Sequence, residues 1–276
     1  MPAQALTTLS RLKDWLSVPE SQVSADEVYT RLILRVSQSV YAITSRSTFA
    51  PHLVQSERHT GDFRTGVMLR DYPVLSIVSA TTQGIPIPAA QTPLDPGFLL
   101  DPWDGYPPGH AQMLDLYGYD TGHGAQAFMV SYYAGYQITN EAQTIPTGAP
   151  YGVIVDAPFG PWLADGGVVN ASTGVPLTKV TGTPVAGQYA LVSTSPGEYA
   201  FAAADKGTPL NLTYGYVPAD VEQAVLELAG ERDSYRRRIG IKERSIGGQG
   251  LTAYDANAPS QTVLELLQPY KRVATI

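Results

Sequence analysis

The residues best suited to chemistry crowd one loop-rich stretch: Asp101, Asp104, His110, Asp115, Asp120 and His123. Carboxylate and imidazole groups at short intervals can hold a hard cation. Their spacing fits no calcium-loop pattern, which needs acids at fixed alternate positions and a glutamate at the twelfth. Asp and His beside Gly and Pro are also ordinary turn residues, so a structural or solvated role is the expectation and no metal or other cofactor is assigned. Nucleophilic hydrolysis needs a serine on a strained turn with a histidine base, and no Gly-x-Ser-x-Gly segment occurs. The chain has no cysteine, which removes thiol nucleophiles, thiolate metal sites and disulfides together. "GIKERS" lacks the spaced glycines of a phosphate-binding loop, and "SIGGQG" follows a helix without opening a clear one. Paired carboxylates for glycoside cleavage meet only in space and stay open. No motif points to an enzyme.

Two other groups of residues suit binding. "YRRRIGIKER" places Arg236, Arg237, Arg238, Lys242 and Arg244 within nine positions. Contact with nucleic acid or anionic lipid, ion pairing with an acidic neighbouring subunit, and a solvated helix end whose cations suit the dipole all remain open for this run. Tyrosine occurs seventeen times, and tyrosines exposed on β surfaces favour protein or glycan contact. Trp103, Tyr106 and Trp162 with nearby acids form the alternative, a glycan-binding or glycan-cleaving platform.

The elements that must position these residues divide the chain. "QALTTLSRLKDWLSVP" carries Leu6, Leu9, Leu12 and Leu16 at helical spacing, and Pro19 stops it. In "SADEVYTRLILRVSQSVYAIT" Ser24 and Glu27 form a capping-box pattern, and Val28, Leu32, Val36, Val40 and Ile43 line one face. These two helices are expected to pack together. Period-two alternation then predicts a hairpin or meander through "LVQSERHTGDFRTGVMLRDYPVLSIVSATTQGIPI", followed by a Pro/Gly-rich loop over 86–124 and a strand at "AFMVSYYAGY". Six short strands at roughly ten-residue spacing follow, enough for a small sandwich or barrel. Pro218 opens a helix with Val221, Ala224, Val225, Leu228 and Arg232 on one side. A basic, Gly-rich connector, expected to be mobile, leads to a two-turn helix in "SQTVLELLQPYKR" that Pro269 ends.

Two stretches repeat one signature, "YYAGYQ" at 132–137 and "TYGYVP" at 213–218. Two occurrences with dissimilar flanks do not make a repeat array. They predict an interrupted strand-to-helix junction, with the chain leaving a host fold after Tyr136 and rejoining it near Tyr214. The expected fold is α+β: a helical bundle from the N- and C-terminal segments with a β-hairpin or meander (1–136 and 214–276), plus an inserted all-β domain, sandwich or barrel-like, over 137–213.

Net charge is −7 and uneven. Residues 1–72 carry 8 Lys+Arg against 7 Asp+Glu, residues 73–217 carry 2 against 10, and residues 218–276 carry 8 against 8. The acidic middle repels DNA phosphates, which excludes sequence-specific DNA binding there but suits DNA that slides past. No leader pattern and no run of eighteen apolar residues occurs, so a soluble chain without membrane association is expected.

The helical pieces resemble the small head-to-tail connector, or adaptor, proteins of tailed bacteriophages. The residues that carry the resemblance are the Leu-Lys-Asp-Trp-Leu helix at 12–16, the "TSRSTF" turn at 44–49, the Tyr-Pro-Val strand at 72–74, the Gly-Tyr strand at 135–136 leading through Pro218 to an Ala-rich helix, and the terminal "LLQPYKR" at 266–272. They cover about half of the chain in order. Family members are usually much shorter; the excess is 86–124 and the β module, which itself looks like a β domain of other phage structural proteins. The resemblance implies a virion protein assembled in the host cytoplasm: a ring of twelve copies beneath the portal, joining it to the stopper or tail while DNA passes through a central channel. It further implies a portal-docking arm with Leu266, Leu267, Pro269, Tyr270, Lys271 and Arg272, and a ring helix whose Arg236, Arg237, Arg238, Lys242 and Arg244 face a neighbouring subunit or the channel. The arm has no apolar partner that the sequence names, which suits folding on binding.

Overall fold

The computed structural model describes residues 4–92, 94–102, 112–236, 243–246, 249–253 and 259–273. Two compact units emerge, one comprising Thr48–Pro218 with Arg272 onward, the other the residues through Ser47 with Ala219–Lys271.

Among the described residues the first unit is β apart from a 3-10 turn at Ala203–Asp205, and it has two lobes. Strands β1 (His52–Asp62), β2 (Gly66–Met68), β3 (Val74–Thr82), β4 (Ile85–Ile87), β5 (Gly97–Asp101), β6 (Met113–Tyr117) and β7 (His123–Ala134) make the first lobe. They form two sheets, ordered β1-β7-β3-β4 and β2-β6-β5. Strand β7 shows why: Phe128, Val130, Tyr132 and Ala134 alternate inward and are all buried, in one core with Val67, Leu114 and Leu116 of the smaller sheet and Leu69 just after β2. Alternation of period two on a half-buried strand produces one apolar face. The β3–β4 hairpin turns on Gln83 and Gly84, both at positive φ, as a two-residue hairpin loop requires.

The second lobe contains β8 (Gln137–Thr144), β9 (Gly152–Ile154), β10 (Trp162–Asn170), β11 (Thr178–Val180), β12 (Gln188–Leu191), β13 (Glu198–Phe201) and β14 (Pro209–Tyr216). Its sheets run β10-β14-β8 and β11-β12-β13-β9. Leu210, Leu212 and Tyr214 of β14, each without solvent exposure, face Val153, Tyr189, Tyr199 and Phe201 of the other sheet. Burial of each such leucine contributes roughly 1.5–3 kcal/mol.

The repeated aromatic-Gly-Tyr signature has a packing cause. Its two copies lie side by side, Gly215 pairing with Gln137 and the Tyr216 amide donating to the Tyr136 carbonyl at 3.2 Å. A Cβ on Gly135 would stand 2.6 Å from the Ala50 carbonyl oxygen, and one on Gly215 would stand 2.5 Å from Pro51 Cδ. Both glycines therefore make room for the same Ala50-Pro51 segment. Phe49 and Tyr216 then pack on Tyr136, with ring centroids 6.1 and 5.8 Å away.

The other unit holds α1 (Leu9–Trp15), α2 (Asp26–Thr44), α3 (Ala219–Arg236) and α4 (Gln261–Leu267), with a hairpin of β15 (Glu243–Ile246) and β16 (Gln249–Ala253). Leu6, Leu12, Ile33, Val36, Val40, Val221, Val225, Leu228, Val263 and Leu267 supply its buried apolar side chains. Lys13 of the Leu-Lys-Asp-Trp-Leu motif is only 1 % exposed and is neutralised by Asp26 Oδ1 at 2.6 Å. Glu222, also buried, accepts from Thr7 Oγ1 at 2.9 Å and pairs with Arg11.

The expectation of a helical bundle as the core of the fold is overturned. The protein is mostly β: the helices number four among the described residues and span 7, 19, 18 and 7 residues, whereas fourteen strands occupy 52–216. Strongly periodic helices at both ends outweighed short, Gly-interrupted strands in the sequence reading, although the strands occupy more of the chain. Smaller corrections follow the same line. No side chain caps α2, whose N-cap is Ala25 and not Ser24. Its buried face runs through Tyr29, Ile33, Ser37, Tyr41 and Thr44 as well as Val36 and Val40, while Val28 is exposed. Arg232 of α3 is exposed, and the connector after α3 carries the β15–β16 hairpin. No described helix is long and apolar enough to cross a membrane.

Candidate functional site: the C-terminal arm and a basic cleft

The arm begins at α4, whose Ser260 hydroxyl caps the Val263 amide at 3.4 Å. Val263 and Leu267 are fully buried in the helical unit, so Leu267 anchors the arm, and Leu266 is half-buried beside it. A short turn over Gln268–Tyr270 contains the exposed Pro269. The Arg46 guanidinium donates through Nε to the Tyr270 carbonyl at 2.6 Å, and the Tyr270 hydroxyl donates to Asp220 at 3.0 Å. The arm thus has the partners within the chain that the sequence reading could not name.

Beyond Lys271 the chain belongs to the β unit. The Val273 amide donates to the Arg70 carbonyl at 3.1 Å, and Arg272 pairs with the buried Asp71 at 2.9 Å. Arg272 there lines a cleft of about 510 Å³ together with Arg58, Arg70, Glu57 and Gln126. Most of the lining comes from β1, which is the open edge of its sheet.

Glu57 sits at the base of this arrangement with its carboxylate 1 % exposed. His59 Nε2 lies 2.7 Å from Oε1, the Arg70 amide donates to the same oxygen at 3.2 Å, and the Tyr132 hydroxyl donates to Oε2 at 2.7 Å. Burial pushes the carboxyl up, but these hydrogen bonds and the nearby His59 outweigh it and hold Glu57 below the usual carboxylate range. Burial, and then the charge of Glu57, push the Tyr132 hydroxyl far above its ordinary value. Tyr132 also accepts from the Asp71 amide at 3.0 Å, so one phenol links both acids of the region. The second lobe repeats the device: Asp165 accepts from Tyr189 at 2.8 Å and Tyr199 at 3.2 Å, and Glu141 accepts from Tyr214. Tyrosine abundance is thereby explained in part by phenols that satisfy carboxylates in β cores.

Nothing in the sequence marked Glu57, Arg58, Arg70 or Asp71 as a group. A bulge between Val54 and Glu57, with Ser56 at φ 54°, shifts the phase of β1 and turns Glu57 inward. The usable signal was "QSERH" itself, three ionisable residues in an otherwise alternating strand.

The other candidates take local roles or lie outside the described residues. Arg236 pairs with Asp233 at 2.8 Å; Arg237, Arg238 and Lys242 are not among the described residues, and Arg244 is placed by backbone alone, opposite Thr252. Asp120 closes a turn by accepting from the Gly122 amide at 2.7 Å, and His123 stacks on Phe63 at 5.3 Å. Burial and the nearby Asp101 push Asp115 up. Asp104, His110, Trp103 and Tyr106 fall outside the described residues. Among those described, no three His, Asp or Glu side chains converge as metal ligands. The Trp162 indole donates to the Tyr199 hydroxyl at 3.1 Å, and the half-buried ring packs against the second core.

No protein-family model matches the chain, and no curated protein matches it. Among solved structures, a chain in the neck of an empty gene transfer agent (GTA) particle computed with C6 symmetry is similar over 98% of this chain and 92% of that chain, at 10% identity and a TM-score of 0.34.

Proposed function

We propose that this chain is a non-enzymatic structural protein of a phage-like particle, a head-to-tail connector that assembles as a ring of twelve copies beneath the portal and joins it to the stopper or tail. DNA passes through the central channel without sequence-specific contact. One observation carries the reading: the terminal "LLQPYKR" segment is held by the other stretches that carry the resemblance. Arg46 of the "TSRSTF" turn reaches the Tyr270 carbonyl at 2.6 Å across 224 positions, and Asp71, next to the Tyr-Pro-Val strand, takes Arg272 at 2.9 Å.

On this reading Leu267 fixes the arm, and Pro269, Lys271 and Arg272 with the residues after them offer the portal contacts. Leu266 supports the same turn. The cations Arg236, Arg237, Arg238, Lys242 and Arg244 serve a neighbouring subunit or the channel wall. A chain ending at Lys271 tests the arm, because it keeps the buried Leu267 whose loss would itself cost about 2–5 kcal/mol. It is expected to stay folded, with melting lowered by loss of the Arg272–Asp71 pair, and to lose co-sedimentation with portal. Undiminished portal binding would refute the docking role.

A further inference from the structure

We propose that the cleft along β1 is a receptor for an extended acidic segment of a protein partner, with a carboxylate seated among Arg58, Arg70 and Arg272. Three guanidinium groups line this one cleft. The β unit carries only six Lys and Arg against thirteen Asp and Glu, so half of its cations converge on one place. Like charges gather in this way when counter-charge is supplied, and the resident acids fall one short. Glu57 already spends both oxygens on His59, Tyr132 and the Arg70 amide, and Asp71 engages Arg272. Arg70 Nε stands 3.9 Å from Glu57 Oε1, an ion pair too long for a hydrogen bond, and Arg272 Nε has no hydrogen-bond partner, so both guanidinium groups keep donor capacity. Planar guanidinium groups match carboxylates in geometry as well as charge.

The setting selects a polypeptide over a nucleic acid. Cleft residues Val54 to Arg58 lie along an edge strand of the sheet, beside which an extended chain can lie with its side chains in the cleft. A duplex presents one phosphate charge about every 1.7 Å, a continuous run of charge that three guanidinium groups in one cleft do not match. A single carboxylate meets only the local field, because charges beyond about 8 Å are screened at physiological salt. Gln126 and Thr60 add neutral hydrogen-bonding groups to the same walls. The site exists in the isolated chain, whatever assembly that chain enters.

Calorimetry of the full chain with an end-capped hexapeptide of alternating Asp and Glu, at low ionic strength, tests the assignment. Arg58→Gln and Arg272→Gln are expected to weaken binding at least tenfold, and Arg64→Gln, whose arginine pairs with Asp62 away from the cleft, to leave it unchanged. Arg58 is exposed, so its variant keeps the fold, and an unchanged melting curve verifies this. Absence of binding to the wild-type chain, or equal loss in all three variants, overturns the proposal. A short DNA duplex that displaces the peptide at equal charge concentration, and is itself lost in Arg58→Gln, overturns it in favour of nucleic acid.

Discussion

At the scale of single residues, the buried carboxylates decide how the β unit responds to acid. Glu57 is held ionised by three donors, so its folded pKa lies below the unfolded value of about 4.3. A depressed pKa contributes stability that is fully present above the unfolded value and is lost as pH falls through the folded one. Denaturant unfolding at pH 7 and pH 3.5 is expected to show a smaller drop in Glu57→Gln than in the wild-type chain. An identical drop in both would mean that Glu57 gains nothing from its partners. Removal of one partner acts at every pH where the acid is charged: Tyr132→Phe strips Oε2 of its donor and is expected to cost about 1–3 kcal/mol.

At the scale of elements, the glycine pair controls how the strands meet the Phe49–Pro51 segment. Gly135 has φ 137° and backbone atoms of Ala50 and Pro51 within 2.7 Å of a would-be Cβ, whereas Gly215 meets mainly the Pro51 ring. Gly135→Ala is therefore expected to destabilise more than Gly215→Ala, which should cost about 1–3 kcal/mol as an overpacked site. Equal, small changes in melting for both would contradict the close approach. Much of this level was legible in the sequence. "PLNLTYGY" and "AFMVSYYA" announced β14 and β7 through alternation, because one face of each strand is fully buried. The duplicated Gly-Tyr signature was visible, yet its cause was not, since Pro51 is distant in sequence from Gly215. The β15–β16 hairpin is not legible because its strands, "ERSI" and "QGLTA", carry no period-two alternation of apolar residues.

At the scale of the whole molecule, helical periodicity misled. The stripes in α2 and α3 read clearly because each lines a single buried face, and their clarity made the helices seem to be the body of the fold. Strands β2, β4, β9 and β11 are three residues each, too short for any period to show, so the extent of the β unit was hidden. The cleft was hidden for another reason: Arg58, Arg70 and Arg272 converge only after β1 bulges and the C-terminal arm returns. Acidic charge concentrated in 73–217 was legible from composition alone, and such a segment repels phosphate backbones. Heterologous contacts that close a ring need two complementary faces per subunit.

Electron microscopy of the purified chain mixed with portal is the most direct test of the connector reading. A closed, rotationally symmetric ring stacked on the portal, with an open axial channel, is the predicted result. Absence of any complex, or isolated copies bound to the portal without closure, would contradict it.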